Sequence, residues 1–151
     1  MKPLIVLLVT FTIALFVLKL KQGTYDFAFS GRIAMSTMLL FTALGHFMFT
    51  DGMTMMIPDF IPFKKETVYL TAILEILGAF ALHIMQLRTI TAWLLILFFL
   101  LLLPANIKAS VEHINYQKGT YNGNGLLYLG FRIPLQMLFI AWVHFSAIRQ
   151  Y

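Results

Sequence analysis

The sequence predicts an all-α membrane protein with five transmembrane helices, and three observations carry that prediction. Of its 151 residues, 60% are hydrophobic and only 11% are charged, against about 25% charged in an ordinary soluble domain. Five apolar stretches each approach the length of about 20 residues that a bilayer crossing needs. No stretch alternates apolar and polar residues as barrel strands do; Leu94–Leu103 is apolar throughout. A closed barrel is the other way to satisfy backbone groups in hydrocarbon, so the continuous runs favour helices. A soluble chain of this length leaves too much surface exposed to hide so many apolar side chains. The same composition excludes a soluble enzyme and a nucleic-acid-binding domain. The absence of cysteine excludes disulfides, cysteine-ligated zinc and iron–sulfur clusters. The net charge of +5 fits Lys and Arg gathered at helix ends near lipid headgroups.

The first apolar segment is Pro3–Leu18. Lys2 precedes it as in a signal peptide, but Lys19-Leu20-Lys21 follows where small residues would mark cleavage, so it reads as a retained helix. The others are Ile33–Phe49, Val68–Met85, Ile90–Ile107 and Leu126–Ile148. Gln22–Ser30 is a short polar link, and Gln86–Thr89 is a tight turn that makes its flanking helices antiparallel neighbours. Lys108–Asn124 is a longer loop ending in the turn signal Tyr121-Asn122-Gly123-Asn124-Gly125. Thr50–Thr67 is too apolar for an aqueous loop, and Pro58 and Pro62 interrupt it too often for a span, so it reads as an interfacial or re-entrant segment. The chain is a single transmembrane domain over 1–151.

Side A denotes the membrane face that holds the N-terminus, Thr50–Thr67 and Lys108–Asn124; side B is the opposite face. Lys2, Lys64, Lys65, Lys108 and Lys118 fall on side A, and Lys19, Lys21, Arg32, Arg88 and Arg149 on side B. With the cations shared equally, the positive-inside rule favours neither orientation.

Ionisable residues inside spans are costly and mark candidate sites. At 1.5 Å per residue, Glu75 lies about 10 Å, Arg132 about 9 Å and His46 about 5 Å below side A. Asn106 reaches the same half, and Gln136 sits one turn below Arg132 on the same helix face. These five residues form a candidate ligand-binding or proton-handling layer, with His46 as the natural proton carrier. The competing reading is structural: Glu75 and Arg132 pair to join two helices, while Asn106 and Gln136 hydrogen-bond across the bundle. Pro104 and Pro134 interrupt their helices at the same level and free carbonyls there. Phe47, Phe60 and Phe131 are the candidate aromatic walls. Met53, Met55 and Met56 near His46 resemble a copper(I) donor set but read as gap-filling side chains, so no metal site is expected. His113 falls in a loop; His83 and His144 lie near side B beside Trp93 and Trp142, which read as interface anchors.

Taken together, several short pieces resemble a known family. They are Arg32 opening a helix that ends in Gly45-His46-Phe47, Met56-Ile57-Pro58 followed by Pro62, and Ile73-Leu74-Glu75-Ile76-Leu77-Gly78-Ala79. Pro104-Ala105-Asn106-Ile107, Arg132-Ile133-Pro134-Leu135-Gln136 and Phe139-Ile140-Ala141-Trp142 complete the set. Their order and spacing over residues 30–148 resemble the DoxX-like family of small bacterial membrane proteins. The resemblance implies a four-helix core at 30–148 with residues 1–29 as an added N-terminal helix and link. It picks out Arg32, His46, Glu75, Pro104, Asn106, Arg132, Pro134 and Gln136. A glycine directly before His46, and Ala72 where a glycine is usual, depart from the pattern. The family name comes from a subunit of a thiosulfate:quinone oxidoreductase. The resemblance therefore implies an accessory subunit of a membrane redox or assembly complex in the bacterial inner membrane, with a pocket for a quinone-type headgroup. A carrier or receptor for a small lipid-like ligand and a purely structural membrane partner are the alternatives. No self-sufficient catalytic or redox centre is visible, so no intrinsic cofactor is expected. The expected partners are the lipid bilayer and another membrane protein or a second copy of the chain, with no nucleic acid.

Overall fold

The computed structural model describes residues 2–149, which form seven α-helices: α1 (Lys2–Gln22), α2 (Phe27–Met48), α3 (Thr50–Met56), α4 (Lys64–Ala81), α5 (Arg88–Leu101), α6 (Leu103–Val111) and α7 (Gly125–Val143). A π-helical turn, His144–Ile148, continues α7. Four stretches are long and apolar enough to cross a membrane: α1, α2, the α5–α6 pair and α7 with its π turn. They define a membrane protein by length and composition. The surface agrees, because large apolar side chains such as Leu94 and Phe80 are exposed where a soluble protein would place charges. The segment predicted at Val68–Met85 is displaced. Its helix α4 begins earlier, at Lys64, and stops at Ala81, and a chain of tight turns carries the backbone to Arg88. Lys64, Lys65 and Glu66 in its first turn keep α4 outside the set of four.

Local chemistry sets the other boundaries. Asp26 caps α2 by accepting from the Phe29 amide at 2.8 Å. Pro104 lacks an amide hydrogen and so fits the first turn of a helix, where that hydrogen would have no partner; Pro134, by contrast, sits inside an unbroken α7. The run predicted as one helix breaks at Leu102, and α6 starts with Pro104 in its first turn. α6 continues to Val111, which shortens the predicted loop; an isolated bridge between Asn115 and Thr120 tightens what remains. Thr50–Thr67 contains the short helix α3 and a turn through Pro58–Ile61.

The core lies between α2, α4, α5 and α7 and is built on Met35, Met38, Leu39, Leu95, Phe99 and Phe139. α1 packs along α2 and adds Leu7 to that core. At side B, Arg32 is buried and donates Nη1 to the Ser146 carbonyl at 2.9 Å. Beside it, Trp142 Nε1 donates to the Gly31 carbonyl at 3.0 Å. Trp142, half-buried, thus staples α7 to α2. Ser36 Oγ donates to the Ala79 carbonyl at 2.7 Å and stands 3.0 Å from His83 Nε2.

At side A, Lys108 Nζ reaches from α6 to the Ile57 carbonyl and to Asp59 Oδ1, each at 2.9 Å, and Lys64 Nζ meets the same carboxylate at 2.7 Å. The two ammonium groups hold the Asp59 carboxyl at about 2, below its usual range. A lowered folded-state value means that the clasp is complete above the ordinary carboxylate value of about 4. It is lost as pH falls through about 2. An NMR titration of the Asp59 side-chain carboxyl is expected to give a midpoint near 2; a midpoint near the unperturbed value of about 4 means the clasp does not form.

Candidate functional site: a polar cavity at side A

Residues of all seven helices line a half-open cavity of about 370 Å³, among them His46, Glu75, Asn106, Arg132 and Gln136. The structure brings all five of the predicted residues to one place. It does not bring Arg32, Pro104 or Pro134 there: Arg32 is at side B, and both prolines lie exposed on the outer surface.

The expected pairing of Glu75 with Arg132 is not what forms. Glu75 is 3% exposed and pairs with His46, whose Nδ1 stands 3.2 Å from Oε2. Thr42 Oγ1 stands 3.0 Å from Oε1 and donates there. His46 Nδ1 also lies 2.8 Å from the Thr42 carbonyl, one turn earlier in α2. A carbonyl can only accept, so Nδ1 is the nitrogen that carries the proton. The other ring nitrogen, Nε2, has no hydrogen-bond partner among the described residues. Depth along the axis places Glu75 level with Arg132; rotation about the axis decides the partner, and α4 turns Glu75 toward α2.

Arg132 instead donates Nη1 to Asn106 Oδ1. Its guanidinium carbon lies 4.9 Å from the centre of the Tyr128 ring and 5.9 Å from that of Tyr116, within cation–π range. No carboxylate lies within 4.0 Å of it among the described residues. Gln136 is buried and donates Nε2 to the Phe99 carbonyl at 2.6 Å, just before the break at Leu102. This donor stitches α7 to α5 at the point where the helix ladder is interrupted.

The predicted aromatic walls lie elsewhere. Phe60 is 82% exposed, Phe47 stacks on Tyr69, and Phe131 stacks behind Tyr128; none of the three lines the cavity. Phe49, Phe99, Phe139, Tyr116 and Tyr128 form the walls instead, and Met53 and Met56 add thioethers. Sequence reasoning misses Thr42, Tyr116 and Tyr128. The four-residue spacing of Thr42 and His46 is a usable signal for the first of them, because it places both on one helix face. Among the described residues, no three His, Cys, Asp or Glu side chains gather as a metal site would require.

Helices with an exposed apolar surface, around a cavity with fixed polar groups, define a small helical membrane protein with a ligand-sized cavity. Residues 35–147, about three quarters of the chain, match a single family. The chain belongs to that family, described as Domain of unknown function (DUF8561). The match starts inside α2 and leaves α1 outside it. No curated protein and no solved structure matches the chain.

Proposed function

We propose that the cavity receives the ring headgroup of a lipid-soluble molecule of quinone type, and that the chain serves as an accessory subunit of a membrane redox or assembly complex. The observation that carries this reading is the convergence of His46, Glu75, Asn106, Arg132 and Gln136 on one cavity with aromatic and aliphatic walls. Small-ligand sites have this composition: a largely apolar lining with a few placed polar groups. Arg132 and Asn106 offer N–H donors to a carbonyl oxygen, and the His46–Glu75 pair handles a proton. In this reading a partner supplies the flavin, haem or metal centre that carries the electrons. In this reading α4 is the fifth span, α2 with α4 to α7 form a DoxX-like core, α1 is an addition to it, and the host is the bacterial inner membrane. The position of α1 outside the family match supports that division.

A second reading, a carrier or receptor for a small anionic lipid-like ligand, is favoured by one observation: Arg132 has no carboxylate partner among the described residues. Calorimetry on purified protein in nanodiscs with a short-chain benzoquinone tests the first reading. Saturable binding is expected in the wild type, at least tenfold weaker in Arg132→Gln and in the cavity-filling Ala105→Phe. Equal, weak retention by all three is partitioning into lipid and leaves a structural partner protein as the function.

A further inference from the structure

We infer that one proton, on His46 Nε2, sets whether the cavity holds the oxidised headgroup: with that proton it takes quinone or quinol, and without it the quinol alone. The inference rests on the headgroup reading above.

The geometry fixes three of the four relevant hydrogen-bonding groups. Nδ1 of His46 faces the Thr42 carbonyl at 2.8 Å and Glu75 Oε2 at 3.2 Å, both acceptors, so it is a donor in every protonation state of the ring. Arg132 has only donors, and one of them is committed to Asn106. The Asn106 carbonyl oxygen is committed to Arg132 in return, which leaves the amide nitrogen of Asn106 as a donor. Arg132 and Asn106 therefore offer the cavity only donors. Nε2 is the exception. It has no partner among the described residues and belongs to a side chain in the cavity wall. Bare, it accepts; protonated, it donates, with the Glu75 carboxylate beside the resulting imidazolium.

A quinone presents a carbonyl oxygen at each end of its ring. It matches donors at both ends and so requires the Nε2 proton. A quinol presents hydroxyl groups. Its hydroxyl oxygen still accepts from Arg132, while its opposite hydroxyl donates to a bare Nε2. A quinone carbonyl against a bare Nε2 sets two lone pairs against each other and wastes a buried polar group on each side, whereas a quinol hydroxyl donates to a bare Nε2 or accepts from its proton. Binding of the oxidised form therefore takes up one proton relative to binding of the reduced form. The other titratable groups facing this space are Lys2 from α1, Glu75 from α4, Tyr116 from the loop after α6, and Tyr128 and Arg132 from α7.

The experiment measures, anaerobically, the dissociation constants of a short-chain benzoquinone and of its hydroquinone for the protein in nanodiscs. Measurements run from roughly pH 6 to pH 9, a range that brackets imidazole. The quinone-to-hydroquinone ratio of dissociation constants is expected to rise at least tenfold across it. His46→Asn keeps an amide donor toward Thr42 and Glu75 and deletes Nε2, and it is expected to flatten that rise to within twofold. A ratio independent of pH in the wild type, or an undiminished rise in His46→Asn, overturns the inference while leaving the site intact. Failure of both probes to saturate the wild type at any pH overturns the headgroup reading, and the inference with it.

Discussion

Gly52→Ala is expected to separate α3 from the loop that follows α6, at a cost of roughly 3 kcal/mol. A Cβ on Gly52 would stand 1.7 Å from the Tyr116 carbonyl oxygen and 2.5 Å from its carbon. Both contacts are backbone, so no rotamer change relieves them; α3 or the loop must move as a unit. Tyr116 forms part of the cavity wall and lies over Arg132, so the displacement opens the site as well as weakening the fold. Equilibrium unfolding in mixed micelles is the measurement. A loss below about 1 kcal/mol, within the range of a tolerated swap, would show that the two segments are not in the contact described.

His46→Ala is the second large effect. It leaves Glu75 with the Thr42 hydroxyl alone, a nearly unpartnered carboxylate in the bundle interior, at a cost of about 3 kcal/mol. Glu75→Gln removes the charge and keeps most of the shape, so it is expected to be milder. Adding it to His46→Ala is expected to recover part of the loss, because the two residues are in contact and their effects are not additive. Arg132→Ala is expected to cost less than His46→Ala, since its hydrogen-bond partner Asn106 is neutral. The reverse order in the same unfolding assay would restore the Glu75–Arg132 pairing that helix depth alone suggests.

That pairing shows where sequence reading runs out. Four of the five predicted spans are legible because an apolar run of bilayer length has few other uses. The polar layer is legible because residue count along a helix gives depth, and His46, Glu75, Asn106, Arg132 and Gln136 do line one cavity. Depth carries no information on how each helix is rotated or on which neighbour it touches. The partner of Glu75, the commitment of Gln136 to the Phe99 carbonyl and the bond from Trp142 to the Gly31 carbonyl are therefore invisible in the sequence. Gly52 is hidden for a related reason. In the sequence it is one residue of the segment read as interfacial, whereas its role is to let two backbones touch. The aromatic walls fail similarly: Phe47 and Phe60 have suitable depth, but they lie on the outer surface.

Whether this cavity holds a headgroup is tested most directly by photo-crosslinking in native membranes with a short-chain quinone carrying a diazirine on its ring, followed by peptide mass spectrometry. Adducts are expected to concentrate on cavity-wall residues such as Met53, Tyr128 and Phe139, and to be suppressed by excess unlabelled quinone and by Ala105→Phe. Adducts spread over exposed surface positions such as Leu94, Leu97 and Leu127, and undiminished by competitor, would contradict a headgroup site.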